Sequence, residues 1–265
     1  MKKQKQSISQ KIQNLCAVSK YSSGPKQVID DMVQLAFNVM TTSLFLEHFP
    51  RSRFYVDHLM RNEVRRYEHD PVAWQLLQEL VVDFMQAIHE AEPFEDVIGS
   101  LYDEYLGQAL GQFLTPKDVA DGLAAIQLAL MPKPTEKLMI GDPCGCGAGS
   151  LVLALLRRIL DMHGEESIKL MEVLVMDLDP NMVRLCTVQI VMSSVMHNIP
   201  VFGIEAHCGN TVTDYSPRPG SKPTLTLRWL PVMSKEDYFE SDPQVQALNT
   251  LMKMVKDSEK SLQAA

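Results

Sequence analysis

The chain has 265 residues, 46% of them hydrophobic and 22% charged, a composition that supports one substantial core or two smaller ones and excludes disordered and fibrous classes. Its net charge of -8 repels nucleic acid phosphates at long range, so the chain alone is expected to bind DNA only weakly unless a partner supplies the contact. The polar stretch after Met1 to Lys5 and the lack of a run near the roughly 18 apolar residues of a membrane helix argue against secretion and membrane spanning.

Residues 1–26 carry six lysines and no acid and close on Ser22-Ser23-Gly24-Pro25, which predicts a basic flexible arm. Residues 27–110 predict a helical N-terminal region. Val28, Met32, Leu35, Val39 and Phe45 to Leu46 recur at helical spacing, and Pro50, Pro71 and Pro93 divide the region beyond them into further pieces. Asp70-Pro71 predicts a capped helix with Trp74, Leu77, Val81 and Phe84 on its apolar face. Arg61, Arg65 and Arg66 beside Tyr67 read as a solvated basic turn in preference to a nucleic acid contact.

Residues 111–265 predict an α/β domain. Apolar runs at Lys137 to Ile140, Glu172 to Met176, Val201 to His207 and Thr224 to Leu230 alternate with helical stretches at Leu151 to Leu160 and Asn181 to Met196, the texture of a parallel sheet. Val245, Leu248, Met252 and Val255 after Asp242-Pro243 suggest a final helix. Five cysteines, Cys16, Cys144, Cys146, Cys186 and Cys208, are an odd set without framework spacing and read as reduced thiols in a cytoplasmic setting. Cys144, Cys146, His207 and Cys208 lack the paired spacing of a zinc site, so no metal is expected.

The segment from Leu138 to Ser150 reads as a strand ending at Asp142, a turn holding Gly145, Gly147 and Gly149, and an apolar helix. Its glycines follow G-x-G-x-G, and no Lys or Ser/Thr stands where a triphosphate loop needs it, so phosphate binding is disfavoured. The second strand ends at Asp177-Leu178-Asp179-Pro180, where a carboxylate can accept both hydroxyls of a ribose and Asp179 can cap the next helix. Together the two features point to an adenosine-containing ligand without a pyrophosphate.

Four stretches in order, Gly111-Gln-Phe-Leu-Thr-Pro116, Asp142-Pro-Cys-Gly-Cys-Gly-Ala-Gly149, Val175-Met-Asp-Leu-Asp-Pro180 and Cys208-Gly-Asn-Thr211, resemble the motifs of the modification subunits of type I restriction systems. Those proteins are adenine-N6 DNA methyltransferases that use S-adenosylmethionine. The resemblance is close over residues 94 to 212 and implies a helical N-terminal region followed by a partial Rossmann-like methyltransferase domain. It places Gln112, Phe113, Thr115 and Pro116 over the methionine part of the cofactor, and Asp142, Cys144, Gly145 and Gly147 in the turn that cradles it. It makes Asp177 the ribose ligand, sets Leu178 beside the adenine ring, and puts Asn210 where the family usually has Asp facing the adenine amino group. An amide oxygen can accept that hydrogen bond without charge assistance, which implies weaker cofactor binding.

The family's N-P-P-F/Y segment, which holds and stacks the extruded base, has no counterpart after the expected fourth strand. There the chain reads Leu230-Pro231-Val232-Met233, and a leucine cannot accept a hydrogen bond. Catalytic residues are therefore not assigned, and the alternative function is an inert methyltransferase-fold protein that binds or interferes with restriction-modification partners. The chain ends soon after, which predicts a shortened domain, or one completed by a specificity subunit or a second copy. Trp229 would then lie at an open sheet edge, covered by Val245 to Val255 or by a partner in a homodimer.

Overall fold

Alternation of strands and helices resolves into a mixed α/β architecture in the computed structural model, which describes residues 2–20, 24–42, 52–106, 114–214 and 225–231. The helical part comprises α1 (Lys2–Val18), α2 (Pro25–Met40), α3 (Pro71–Glu90) and α4 (Gly99–Leu106), with a strand, β1 (Arg53–Val56), between α2 and α3. Beyond it come α5 (Lys117–Ala129), β2 (Leu138–Asp142), α6 (Ser150–His163), the short α7 (Glu165–Ile168), β3 (Met171–Asp177), α8 (Pro180–Met196), β4 (Gly203–Cys208), the short α9 (Thr211–Asp214) and β5 (Leu225–Leu230).

The segment read as a flexible arm is helix α1. Ile8, Ile12 and Leu15 form an i, i+4, i+7 stripe buried to 1% or less, and α1 packs on α3, where Lys11 reaches Asp83 at 2.9 Å. The lysine-rich composition of the segment masks this stripe. Asp70 caps α3 as predicted, its Oδ1 accepting the Ala73 N–H at 3.0 Å, with Pro71 in the first turn. Leu77, Val81 and Phe84 are buried along its predicted face, and Trp74 packs at the margin of the core. The predicted helix over Val245 to Val255 lies outside the described residues.

The sheet has the order β1-β5-β4-β3-β2. β2, β3 and β4 run parallel in sequence order, the β-α-β-α-β half of a Rossmann-like sheet. β3 is apolar and buried along nearly its whole length, as a central parallel strand must be. Both crossovers move the same way along the sheet, so at the usual right hand α6 and α8 cover one face. Every residue of α8 from Met182 to Val195 is buried, because the helix lies between β3 and β4 on one side and α2 and α3 on the other. One apolar core therefore runs from Ile8 to Trp229.

Two expectations about the fourth predicted strand are overturned. β5 is antiparallel to β4, with Cys208 beside Leu225 and Ile204 beside Trp229, so the sheet is mixed. Its other side is paired with β1, Phe54 lying beside Trp229. Trp229 is fully buried, stacks on Phe54 at a centroid distance of 5.7 Å, and donates its Nε1 hydrogen to Ser52 Oγ at 2.8 Å. The edge expected to lie open is closed by a strand from the region read as helical.

Candidate functional site

β2, β3 and β4 deliver their carboxyl ends to one edge, and backbone hydrogen bonds tie the three loops beyond them together. Asp142 ends β2, and its Oδ1 accepts the Cys144 N–H at 3.2 Å. Asp177 ends β3. Its Oδ2 accepts from Gly147 N at 3.0 Å, its Oδ1 from Asp179 N at 2.9 Å, and its backbone carbonyl from Gly209 N at 2.9 Å. Thr211, after β4, hydrogen-bonds the Pro143 carbonyl.

The turn between β2 and α6 needs its glycines. Gly145, Gly147 and Gly149 have φ of 130°, 52° and 93°, conformations that L side chains rarely adopt. A Cβ on Gly147 would stand 2.9 Å from Leu114 Cδ2, so the chain just before Thr115 and Pro116 lies directly on the turn. At Gly145 the nearest atom to such a Cβ is Asp177 Oδ2, at 3.9 Å, leaving open space in front of the carboxylate.

Burial pushes the Asp142 pKa up; the Cys144 amide counters this and the Asp177 charge adds to it. Two carboxylates at one edge thus form an electronegative rim that suits hydroxyl and ammonium donors.

Asp142, Cys144, Gly145, Gly147, Asp177 and Leu178 lie at this one edge of the sheet, with Cys144 exposed and Leu178 69% exposed. Thr115 and Pro116 lead into α5, where Pro116 stands at the N-cap position. Gln112 and Phe113 lie outside the described residues. Asn210 follows β4 at the same edge, but its side-chain oxygen accepts the Val212 N–H at 2.9 Å, so it serves the start of α9. Asp179 caps α8 through the Asn181 N–H at 2.8 Å, as expected.

Three contacts were not legible in the sequence. Leu114 covers Gly147. Thr211 closes on Pro143. Cys146 is buried against Cys186 of α8; that hydrogen bond, with burial behind it, holds the Cys146 thiol well above the ordinary thiol range. The nearest signal was the buried-type cysteine in an apolar helix. His207 turns its ring to Glu205 at 2.8 Å, and among the described residues Cys144, Cys146, His207 and Cys208 do not converge as a metal-ligating group.

Residues 94–227, just over half of the chain, match the family described as N-6 DNA Methylase. The chain belongs to that family. This N-6 DNA methylase family member is also similar to a crystal structure of the type I restriction-modification system methyltransferase subunit from Streptococcus thermophilus, at 18% identity and a TM-score of 0.38. The match covers 63% of this chain and 35% of that one, so the family member spans about a third of that subunit's length. No curated protein matches it.

Proposed function

We propose that the chain is an S-adenosylmethionine-binding homologue of the adenine-N6 DNA methyltransferases found as modification subunits in restriction-modification systems. The observation that carries this reading is the pairing of the Gly147 turn with Asp177. Each carboxylate oxygen accepts one backbone amide and keeps a lone pair, so a ribose diol can still be held by both. Leu178 offers an exposed apolar surface next to it for an adenine ring, and the turn brings backbone close to whatever lies on Asp177. When bound, S-adenosylmethionine supplies an activated methyl group. The chain's own residues bind and orient it: Asp177 holds the ribose, the turn of Asp142, Cys144, Gly145 and Gly147 cradles it, and Thr115 and Pro116 close over its methionine part. Calorimetry with S-adenosylmethionine and its demethylated product tests this, together with Asp177→Ala. Loss of two charge-assisted hydrogen bonds should cost about 1.5 to 3 kcal/mol, and a wild-type protein that binds neither ligand at millimolar concentration overturns the reading.

A second reading, an inert methyltransferase-fold interaction protein, is supported by the direction of β5. Leu230 lies beside Gly203, where a Cβ would meet it at 3.1 Å, at the edge opposite Asp177. Leu230-Pro231 therefore does not reach the cofactor edge. Labelled cofactor with unmethylated DNA, with and without candidate specificity subunits, separates the readings, since methyl transfer rejects inertness.

The reading also includes a partner, weak DNA binding by the chain alone, and a cytoplasmic setting. Among the described residues no helix is long and apolar enough to cross a membrane, and β2 is the outermost strand beyond β3. A groove of about 380 Å³ lies between α5 and that edge, lined by Leu123, Ile126, Gly141 and Leu155 among others. Such an edge with an apolar flank suits an added chain, a second copy being the simplest occupant.

A further inference from the structure

Behind the glycine turn lies a buried polar cluster that ligand binding as proposed does not use. Gln189 stands mid-way along α8 between Val188 and Ile190 and is 1% exposed. Its Oε1 accepts the Val97 N–H at 2.9 Å, and its Nε2 donates to the Ala148 carbonyl at 2.9 Å and to Asp96 Oδ1 at 3.1 Å. Asp96 Oδ1 also accepts the Gly99 N–H at 2.8 Å, capping α4, while Oδ2 accepts the hydroxyl of Ser150, the first residue of α6, at 2.5 Å. Gly99 leaves the room this needs, since a Cβ there would fall 2.2 Å from Asp96 Oδ2. One helical turn along α8, Ser193 Oγ accepts the Phe94 N–H at 2.7 Å.

Ala148 lies between Gly147 and Gly149, both in the left-handed region. Glycines on either side make the intervening peptide easy to rotate, so whatever grips the Ala148 carbonyl selects the form of the whole turn. We propose that Gln189 and Asp96 are positioning residues that hold the Cys144–Gly149 turn in its ligand-accepting form and couple it to the start of α4. The Asp96 carboxylate is shared between the first residues of α4 and α6, so the start of α4 and the end of the turn are held by one side chain. This inference rests on reading the turn as cofactor-binding, but the hydrogen bonds it concerns exist without ligand.

The test is amide hydrogen exchange on the full chain, comparing wild type with Gln189→Ala and Gln189→Glu. The reporters are the N–H groups of Cys146, Gly147 and Gly149, bonded to Met176 O, Asp177 Oδ2 and Cys146 O, and the internal control is β4. In Gln189→Ala the turn amides should exchange about tenfold faster with β4 unchanged, as expected for loss of buried hydrogen bonds confined to one segment. In Gln189→Glu the protonated acid can still donate to Asp96 or Ala148, whereas the carboxylate repels Asp96. The ratio of its turn exchange to wild type should therefore be near one at acid pH and rise as the introduced carboxyl ionises. Affinity for the demethylated cofactor product should fall in parallel. Exchange ratios that stay at one in both variants, or that rise equally in the turn and β4, overturn the proposal. If Gln189→Ala does not fold, the pH ratio in Gln189→Glu decides. If wild type binds no cofactor product, the cofactor reading fails while the exchange ratios still judge the positioning role.

Discussion

Gly147 donates its backbone N–H to Asp177 across 3.0 Å, so the turn after one strand is fastened to the end of the next. Residue 147 is in the left-handed region, and a Cβ there would press on Leu114. Conformation, contact and electrostatics therefore meet at one glycine.

Gly147→Ala is expected to destabilise the protein by about 1 to 2 kcal/mol from the backbone alone, with more from the clash against Leu114. Adding Leu114→Ala removes the clash and leaves the backbone strain. The double variant should therefore be less destabilised than the two single changes added together. Urea titrations of the four proteins check this, and strict additivity would show that Leu114 does not press on the turn.

Asp142 supplies a pH prediction whose sign follows from its raised pKa. Folding lifts the value above 3.8, so the native state holds this proton more tightly than the unfolded chain does. That contribution to stability is lost as pH rises from the unfolded value through the folded one. Asp142→Asn keeps an oxygen for the Cys144 N–H and removes the charge facing Asp177. The variant should melt higher than wild type at neutral pH and converge with it below the unfolded pKa. A melting-temperature difference independent of pH would contradict the raised pKa as its cause.

The parts legible in the sequence are those with a local cause. β2, β3 and β4 are short apolar runs bounded by Gly, Pro and Asp, and Asp142 and Asp177 follow directly as their end residues. β1 is four residues, Arg53 to Val56, and its reason for being a strand is Trp229, far along the chain. No local pattern reports such a pairing. The direction of β5 is hidden for the same reason, and with it the position of Leu230 at the sheet edge opposite Asp177. Asn210 follows β4, and its role in starting α9 depends on a backbone turn that spacing does not reveal.

Ile12 tests whether the N-terminal segment is an integral helix. It is fully buried in the core that α1 shares with α3, so Ile12→Ala should cost about 2 to 5 kcal/mol. Denaturant titration measures it. A change within a few tenths of a kcal/mol would restore the flexible-arm reading.

Trp229 reports on the closure of β5 by β1. Trp229→Ala removes the stack on Phe54 and leaves the buried Ser52 hydroxyl without its indole donor, so a loss of about 3 to 5 kcal/mol is expected. Protease cleavage near Arg53 should accelerate in step, because β1 has β5 as its partner in the sheet. Unchanged cleavage would mean that the seam does not depend on the indole.

The outer face of α5 carries an apolar stripe. Val119, Leu123, Ile126 and Leu130 stand at i, i+4, i+7 and i+11, with Ile126 67% and Leu130 87% exposed, and Met139 of β2 is 56% exposed. The inner face, Ala120, Ala124 and Leu128, is already buried against α6, so packing among the described residues does not account for the outer stripe. Exposed apolar side chains grouped on one helix face fit the association proposed for this edge. Replacing Ile126 and Leu130 together by Lys should leave thermal stability within about 0.5 kcal/mol of wild type while shifting any dimer toward monomer in light scattering over a wide concentration range. Association that survives both lysines would place the contact elsewhere, and a wild type that stays monomeric at high concentration would rule out a second copy as the partner.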